Sequence, residues 1–150
     1  MGYAPGMAIV QSYGYAHVRI TVTDIARSKA FYDEVFGWPI ALDASDRVHE
    51  PGVSQSPADF YGGTVYLTPG GTLFGLRPVA PQGQRFDSEH TGLDHVSFMV
   101  SSREDLVAAA KHFETSGIEH GEVTDLTAAG IAILSFSDPD GVHCELTAPL

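Results

Sequence analysis

His17-Val18-Arg19-Ile20-Thr21-Val22 and His95-Val96-Ser97-Phe98-Met99-Val100 are two versions of one opening strand, each led by a histidine. A polar helix start, an amphipathic run and a terminating glycine follow each, Gly37 in the first copy and Gly117 in the second. Each copy then closes on a turn and an apolar strand: Pro69-Gly70-Gly71 into 72–77, and Asp138-Pro139-Asp140-Gly141 into 142–147. The spacing is too long for a solenoid repeat, so the chain reads as two copies of one module making one domain. The order within each copy is strand, helix, three strands. That predicts an α+β fold of two βαβββ modules, with curved mixed sheets facing each other around a metal cleft. Module one spans about 15–78, a linker about 79–92 and module two about 93–149, behind an N-terminal extension at 1–14.

Local signals fill in this frame. Thr23 or Asp24 can cap the first helix, whose apolar stripe is Ile25, Phe31, Tyr32, Val35 and Phe36; Gly37 ends it and Pro39 prevents resumption. Ser101-Ser102-Arg103-Glu104-Asp105 offers a capping box for the second helix, as Ser102 with Asp105 or Ser101 with Glu104. Residues 39–42 and 119–123 are further strand candidates. The stretch 43–63, rich in Pro, Gly, Ser and Asp, reads as a lid, a binding loop or a disordered tip. The Asp-Pro-Asp-Gly segment suits a type I turn with Gly141 left-handed.

The totals exclude several classes. A chain of 150 residues, 43% hydrophobic and 18% charged, can bury its own core as a single domain. A net charge of −11 repels phosphate backbones, so neither nucleic acid nor an anionic membrane is an expected partner. Such a surface favours metal ions or basic small molecules, or serves solubility alone. One cysteine allows no intrachain disulfide. No apolar run approaches a membrane span, and residues 1–16 do not read as a secretory signal, so a cytoplasmic location is expected.

Alternation along the strands sorts the side chains into two faces. Val18, Ile20 and Val22 oppose His17, Arg19 and Thr21; Val96, Phe98 and Val100 oppose His95, Ser97 and Met99. Phe74 and Leu76 oppose Leu73, Gly75 and Arg77, while Val142, Cys144 and Leu146 oppose His143, Glu145 and Thr147. One face is apolar and packs under a helix, which makes Cys144 a core residue. The polar face carries His17, His95 and Glu145. Two imidazoles and one carboxylate form a three-ligand set for Fe(II), Mn(II), Ni(II) or Zn(II), with open positions that suit non-haem iron oxygen chemistry. The alternative for each histidine alone is a strand-start imidazole satisfied by a backbone carbonyl.

The remaining polar-face residues have two readings each. His143 is an acid–base group, a residue supporting the ligands or a rim histidine. Arg19 and Arg77 either hold a substrate carboxylate or pair with acids at the sheet edge. Ser97 and Thr147 flank the ligands and either contact a bound oxygen or line the cleft. Tyr66, with Phe60 and Tyr61, either contacts an aromatic substrate through the 43–63 segment or packs locally.

His17-Val-Arg-Ile-Thr-Val-Thr-Asp with Phe31-Tyr32 and Phe36-Gly37, Leu93-Asp94-His95-Val96, and Asp138-Pro-Asp-Gly-Val-His-Cys-Glu145 together resemble the vicinal oxygen chelate superfamily. That superfamily includes glyoxalase I, extradiol dioxygenases, methylmalonyl-CoA epimerase, fosfomycin-resistance transferases and bleomycin-binding proteins. The resemblance runs from about 15 to 149. It implies a divalent-metal enzyme acting on a small oxygenated organic substrate, with His17, His95 and Glu145 as ligands, Fe(II) favoured, and a homodimer. Setting Gly71 against Gly141 puts Gly75 where the four-ligand isomerases carry Glu or Gln, which favours the three-ligand members. Residues 126–136 lack the His and Tyr of catechol cleavers, and no basic cluster marks a fosfomycin site. A drug-sequestering binder of the bleomycin-resistance kind and a fosfomycin-type thiol transferase are the rival readings.

Overall fold

The computed structural model describes Gly6 and residues 8–150; part of the expected N-terminal extension lies outside the described residues. The strands and helices are β1 (His17–Thr21), α1 (Ile25–Val35), β2 (Ile40–Asp43), β3 (Thr64–Leu67), β4 (Leu73–Arg77), β5 (Val96–Met99), α2 (Arg103–Ser116), β6 (Thr124–Leu126), β7 (Ile131–Ser137) and β8 (His143–Pro149). They form two four-stranded mixed sheets of the same topology, β1-β4-β3-β2 and β5-β8-β7-β6. In each, the first strand runs parallel to the last, and the other pairings are antiparallel. The duplication read from the sequence is therefore the architecture. No helix among the described residues is long and apolar enough to cross a membrane.

Both helices start where the side chains demand. Asp24, in extended backbone, accepts the Arg27 amide at 3.1 Å and so caps α1. Ser102 and Asp105 form the reciprocal capping box of α2, and Gly117, at φ 70°, closes that helix in the left-handed region.

The apolar faces of both sheets feed one core. Ile20, Phe74 and Leu76 of the first sheet and Ala132, Leu134, Phe136, Cys144 and Leu146 of the second are buried together with Tyr32 and Phe113 of the helices. Aromatic contacts cross between modules: Phe36 lies 4.8 Å from Phe98 and Phe31 6.2 Å from Phe136, measured between ring centroids. Burial, the largest influence, pushes the Cys144 thiol up to about 12. The Tyr32 hydroxyl donates to Asp138 at 3.0 Å and sits 3.7 Å from Cys144, so the first helix is fastened beneath the second sheet.

Three expectations need correction. Residues 119–123 form only an isolated bridge, His120 to Phe136, and the edge strand starts later, at Thr124. Gly121 lies so close to β7 that a β-carbon there would meet Ser135 Oγ at 2.7 Å, and the regular ladder is interrupted at this approach. The 43–63 stretch is neither an open lid nor a loose tip. It coils through short 3-10 turns at Ser45–Arg47, Val53–Gln55 and Pro57–Gly62, buries Val53, and is tied by Lys29 to Asp43 and by Arg47 to Asp59. Finally, the two polar faces do not close on each other within one chain. Both sheets present their apolar faces to the shared core, while His17, Arg19, His95, Ser97 and His143 are exposed.

Candidate metal half-site

The second sheet builds a compact donor group. β5 and β8 are parallel neighbours that set Ser97 beside Glu145 and Met99 beside Thr147. His95 stands immediately before β5, and its Nε2 lies 3.8 Å from Glu145 Oε1. Its other ring nitrogen, Nδ1, is 2.6 Å from the carboxylate of Asp94. An imidazole held by a carboxylate at Nδ1 keeps Nε2 free as a lone-pair donor, the usual support for a metal-bound histidine. Glu145 is braced as well: Thr147 Oγ1 donates to its carboxylate at 3.2 Å and is itself 2.5 Å from Ser97 Oγ. Glu145 is 17% exposed, partly enclosed by these neighbours.

Asp94, His95 and Glu145 line a cavity of about 340 Å³ that also receives His120, Ser135 and His143. His143 projects from the same face of β8 as Glu145, with its ring 5.5 Å from Phe86. A hydrogen bond from His120 to Glu114, then one with the Gly121 carbonyl, raises the His120 pKa above its ordinary value.

His17 does not line this cavity. It opens β1 of the other sheet, exposed, at the place that His95 takes in the second module. Among the described residues no three His, Cys, Asp or Glu side chains converge closely enough to hold an ion. One chain thus brings His95 and Glu145 together and leaves His17 apart.

The first sheet uses its equivalent positions differently. Arg19 is the register partner of Gly75, and Thr21 of Arg77; Ser97 with Glu145 and Met99 with Thr147 hold the respective matching places in the second sheet. The Gly75–Glu145 equivalence expected from the turn glycines therefore stands. Both arginines meet the ring of Tyr61, Arg77 at 3.8 Å and Arg19 at 5.5 Å from its centroid. Tyr66, expected as a substrate contact, is instead wholly buried on the helix-facing side of β3, with its hydroxyl donating to Asp33 at 2.9 Å. Burial and that carboxylate raise its pKa, and substrate cannot reach it.

Sequence reasoning assigned no role to Asp94. Its signal was its position, an acid directly before the histidine that opens a strand. His120 gave no comparable signal, because it reaches the cavity through an irregular bridge rather than a strand period.

A duplicated βαβββ frame with a histidine and a carboxylate on one polar face defines a class of protein. The chain belongs to the Glyoxalase/Bleomycin resistance protein/Dioxygenase superfamily, whose model matches residues 14–146. It is 26% identical over 130 residues to the uncharacterized protein YaeR of Escherichia coli (strain K12), a match covering 87% of this chain and 92% of that one. Among solved structures it resembles a glyoxylase/bleomycin resistance protein/dioxygenase domain from Frankia sp. EAN1pec, with 25% identity, a TM-score of 0.73, and coverage of 93% of this chain and all of that chain (100%). It shares its fold with a mutant of the fosfomycin resistance protein FosX from Listeria monocytogenes, complexed with Mn(II) and 1S,2S-dihydroxypropylphosphonic acid. That likeness has 16% identity and a TM-score of 0.68, covering 93% of this chain and 95% of that one.

Proposed function

We propose that the protein is a divalent-metal-dependent enzyme acting on a small oxygenated organic substrate, and that two copies assemble so that His17 of one chain completes the His95–Glu145 half-site of the other. The supporting observation is the His95 arrangement: Nε2 faces Glu145 across 3.8 Å while Asp94 holds Nδ1. Metal–ligand bonds of roughly 2.0–2.2 Å let one ion bridge a gap of this size, so the donors fit a metal. His17 is the repeat equivalent of His95, and both β1 and β5 lie at sheet edges with one side unpaired.

Two imidazoles and a carboxylate are the donor set of non-haem Fe(II) oxygenases, which favours Fe(II) over Mn(II), Ni(II) or Zn(II) here. Bound there, the ion would polarise substrate oxygens and leave open positions for substrate or O2. The protein's own contribution is orientation and proton movement. Thr147 and Ser97 fix the carboxylate, Asp94 fixes the imidazole tautomer, and His143 is placed in the cavity to take or return a proton.

Metal analysis of protein purified without chelator, with an oxygen-uptake screen over small phenols and keto acids, tests the enzyme reading. A wild-type protein that neither carries nor takes up a divalent ion would sink it in favour of a sequestering binder. Assembly is tested by mixing His17→Ala and Glu145→Ala chains. A site shared between copies regains metal in the mixed dimer, because the first variant supplies His95 and Glu145 and the second supplies His17. A site within one chain regains none.

A further inference from the structure

We propose that Arg19 and Arg77, clasped on the ring of Tyr61, form an oxyanion-binding pair that receives the carboxylate of a small organic acid. The inference rests on the reading above only in making that acid the substrate; the anion site itself belongs to the first sheet alone.

The chain has 19 acidic residues and only 8 Lys and Arg. Arg27, Lys29, Arg47 and Arg103 each pair with a carboxylate, and Arg85 donates to the Pro139 carbonyl. Arg19, Arg77 and Lys111, which is exposed on α2, make no ion pair or side-chain hydrogen bond with any described residue, and the two arginines converge on one ring. Arg77 Nε is buried with no partner. Two like charges converging on one ring, in a chain with acids to spare, are an arrangement that an external anion would balance.

The protein maintains this arrangement against local strain. Phe60 and Tyr61 both adopt left-handed backbone, at φ 48° and 57°, a region that bulky residues avoid. Close packing holds them there. A β-carbon at Gly63 would lie 2.0 Å from the Leu76 carbonyl oxygen and one at Gly62 2.9 Å from Val48, while Arg47 anchors Asp59 at 2.8 Å. The coiled 43–63 segment thus presses Tyr61 against the two arginines. Gly75 leaves the room that the Arg19 stem occupies. A planar guanidinium fork matches the two oxygens of a carboxylate, and Arg19 shares its strand face with His17.

Calorimetry on chelator-treated, metal-free protein tests the pair independently of any metal. Benzoate, pyruvate and inorganic phosphate are the probes, and benzamide is the neutral control. The expected result is saturable binding of the carboxylates, weakened by salt, with no binding of benzamide. Arg19→Met and Arg77→Met each lower affinity by about tenfold or more, as expected for a lost charge-assisted hydrogen bond. Arg77→Lys keeps the charge, loses the fork and weakens binding as well. Absence of saturable carboxylate binding to the wild type overturns the proposal, and so does unchanged affinity in folded Arg19→Met and Arg77→Met chains. Binding of phosphate alone overturns the carboxylate assignment. Failure of the metal experiment leaves this result intact, and the reverse also holds.

Discussion

Arg19 lies across Gly75: a β-carbon added at Gly75 would stand 3.2 Å from Arg19 Cγ. The same register position in the second sheet carries Glu145 beside Ser97. One duplicated frame therefore holds an acid in one half and a vacant position covered by an arginine in the other. The two halves are chemically opposite, although their backbones repeat.

Gly75→Ala tests how closely that cover is fitted. Gly75 is not among the residues with positive φ, so alanine is conformationally acceptable, and the nearest obstacle is a flexible side-chain stem. Stability measured by urea unfolding is expected to stay within about 1 kcal/mol of wild type, since the gain from replacing a strand glycine offsets the crowding. Benzoate affinity is expected to fall as the Arg19 stem is displaced. A variant with unchanged affinity would show that Gly75 does not set the position of the guanidinium.

Asp94→Asn tests the support behind His95. The carboxylate is 78% exposed, so its loss is expected to leave thermal stability nearly unchanged. Metal affinity should nevertheless drop by about 10- to 100-fold, the usual cost of removing the acid behind a metal-bound imidazole. Titration against a competing chelator measures this. Equal affinity in the variant would mean that Asp94 is a surface neighbour only.

The repeat, the start of each helix to within one residue, the apolar and polar strand faces and the equivalence of Gly75 with Glu145 were legible in the sequence, because each rests on local period or turn chemistry. Cys144 followed from alternation alone. What was not legible depends on contacts distant in sequence. Alternation said which residues share a face, but not which way a whole face turns, and so it could not place His17 apart from His95. Composition marked 43–63 as loop-like, yet its order comes from the Lys29–Asp43 and Arg47–Asp59 pairs and from buried Val53. The two readings of Tyr66 separate only in the fold, because aromatic character near a loop does not reveal which side of β3 it occupies. The Asp138-Pro-Asp-Gly turn was read as hairpin chemistry, and its role in joining the modules appears only in three dimensions.

That joint is open to test. Asp140, nearly buried, accepts from the Thr23 amide at 2.9 Å, the Thr23 hydroxyl at 2.6 Å and Arg27 at 2.7 Å. Asp140→Ala strips three donors of their acceptor and is expected to cost about 2–4 kcal/mol in urea unfolding. Tyr32→Phe, which removes the hydrogen bond to Asp138 at 3.0 Å and the weaker one with Cys144 at 3.7 Å, should cost about 1 kcal/mol. If the junction were incidental to stability, both substitutions would fall within error of wild type.

Asp43 gives the acid limb of stability a defined source. Burial alone would raise its carboxyl, but hydrogen bonds from Lys29, Ser45 and Thr64 outweigh that and hold it at about 2, below the ordinary 3.8. A carboxyl depressed on folding stabilises the protein fully above its unfolded value, and that stabilisation is lost as pH falls through the folded value. Wild type should therefore exceed Asp43→Asn in stability near neutral pH, and the gap should close between about pH 4 and pH 2. The side chain is 31% exposed, so solvent weakens the effect and added salt should reduce it. Because Asp43 starts the segment that carries Tyr61, the variant is also expected to bind benzoate less tightly at neutral pH. Parallel pH–stability curves for the two proteins would remove Asp43 as the source.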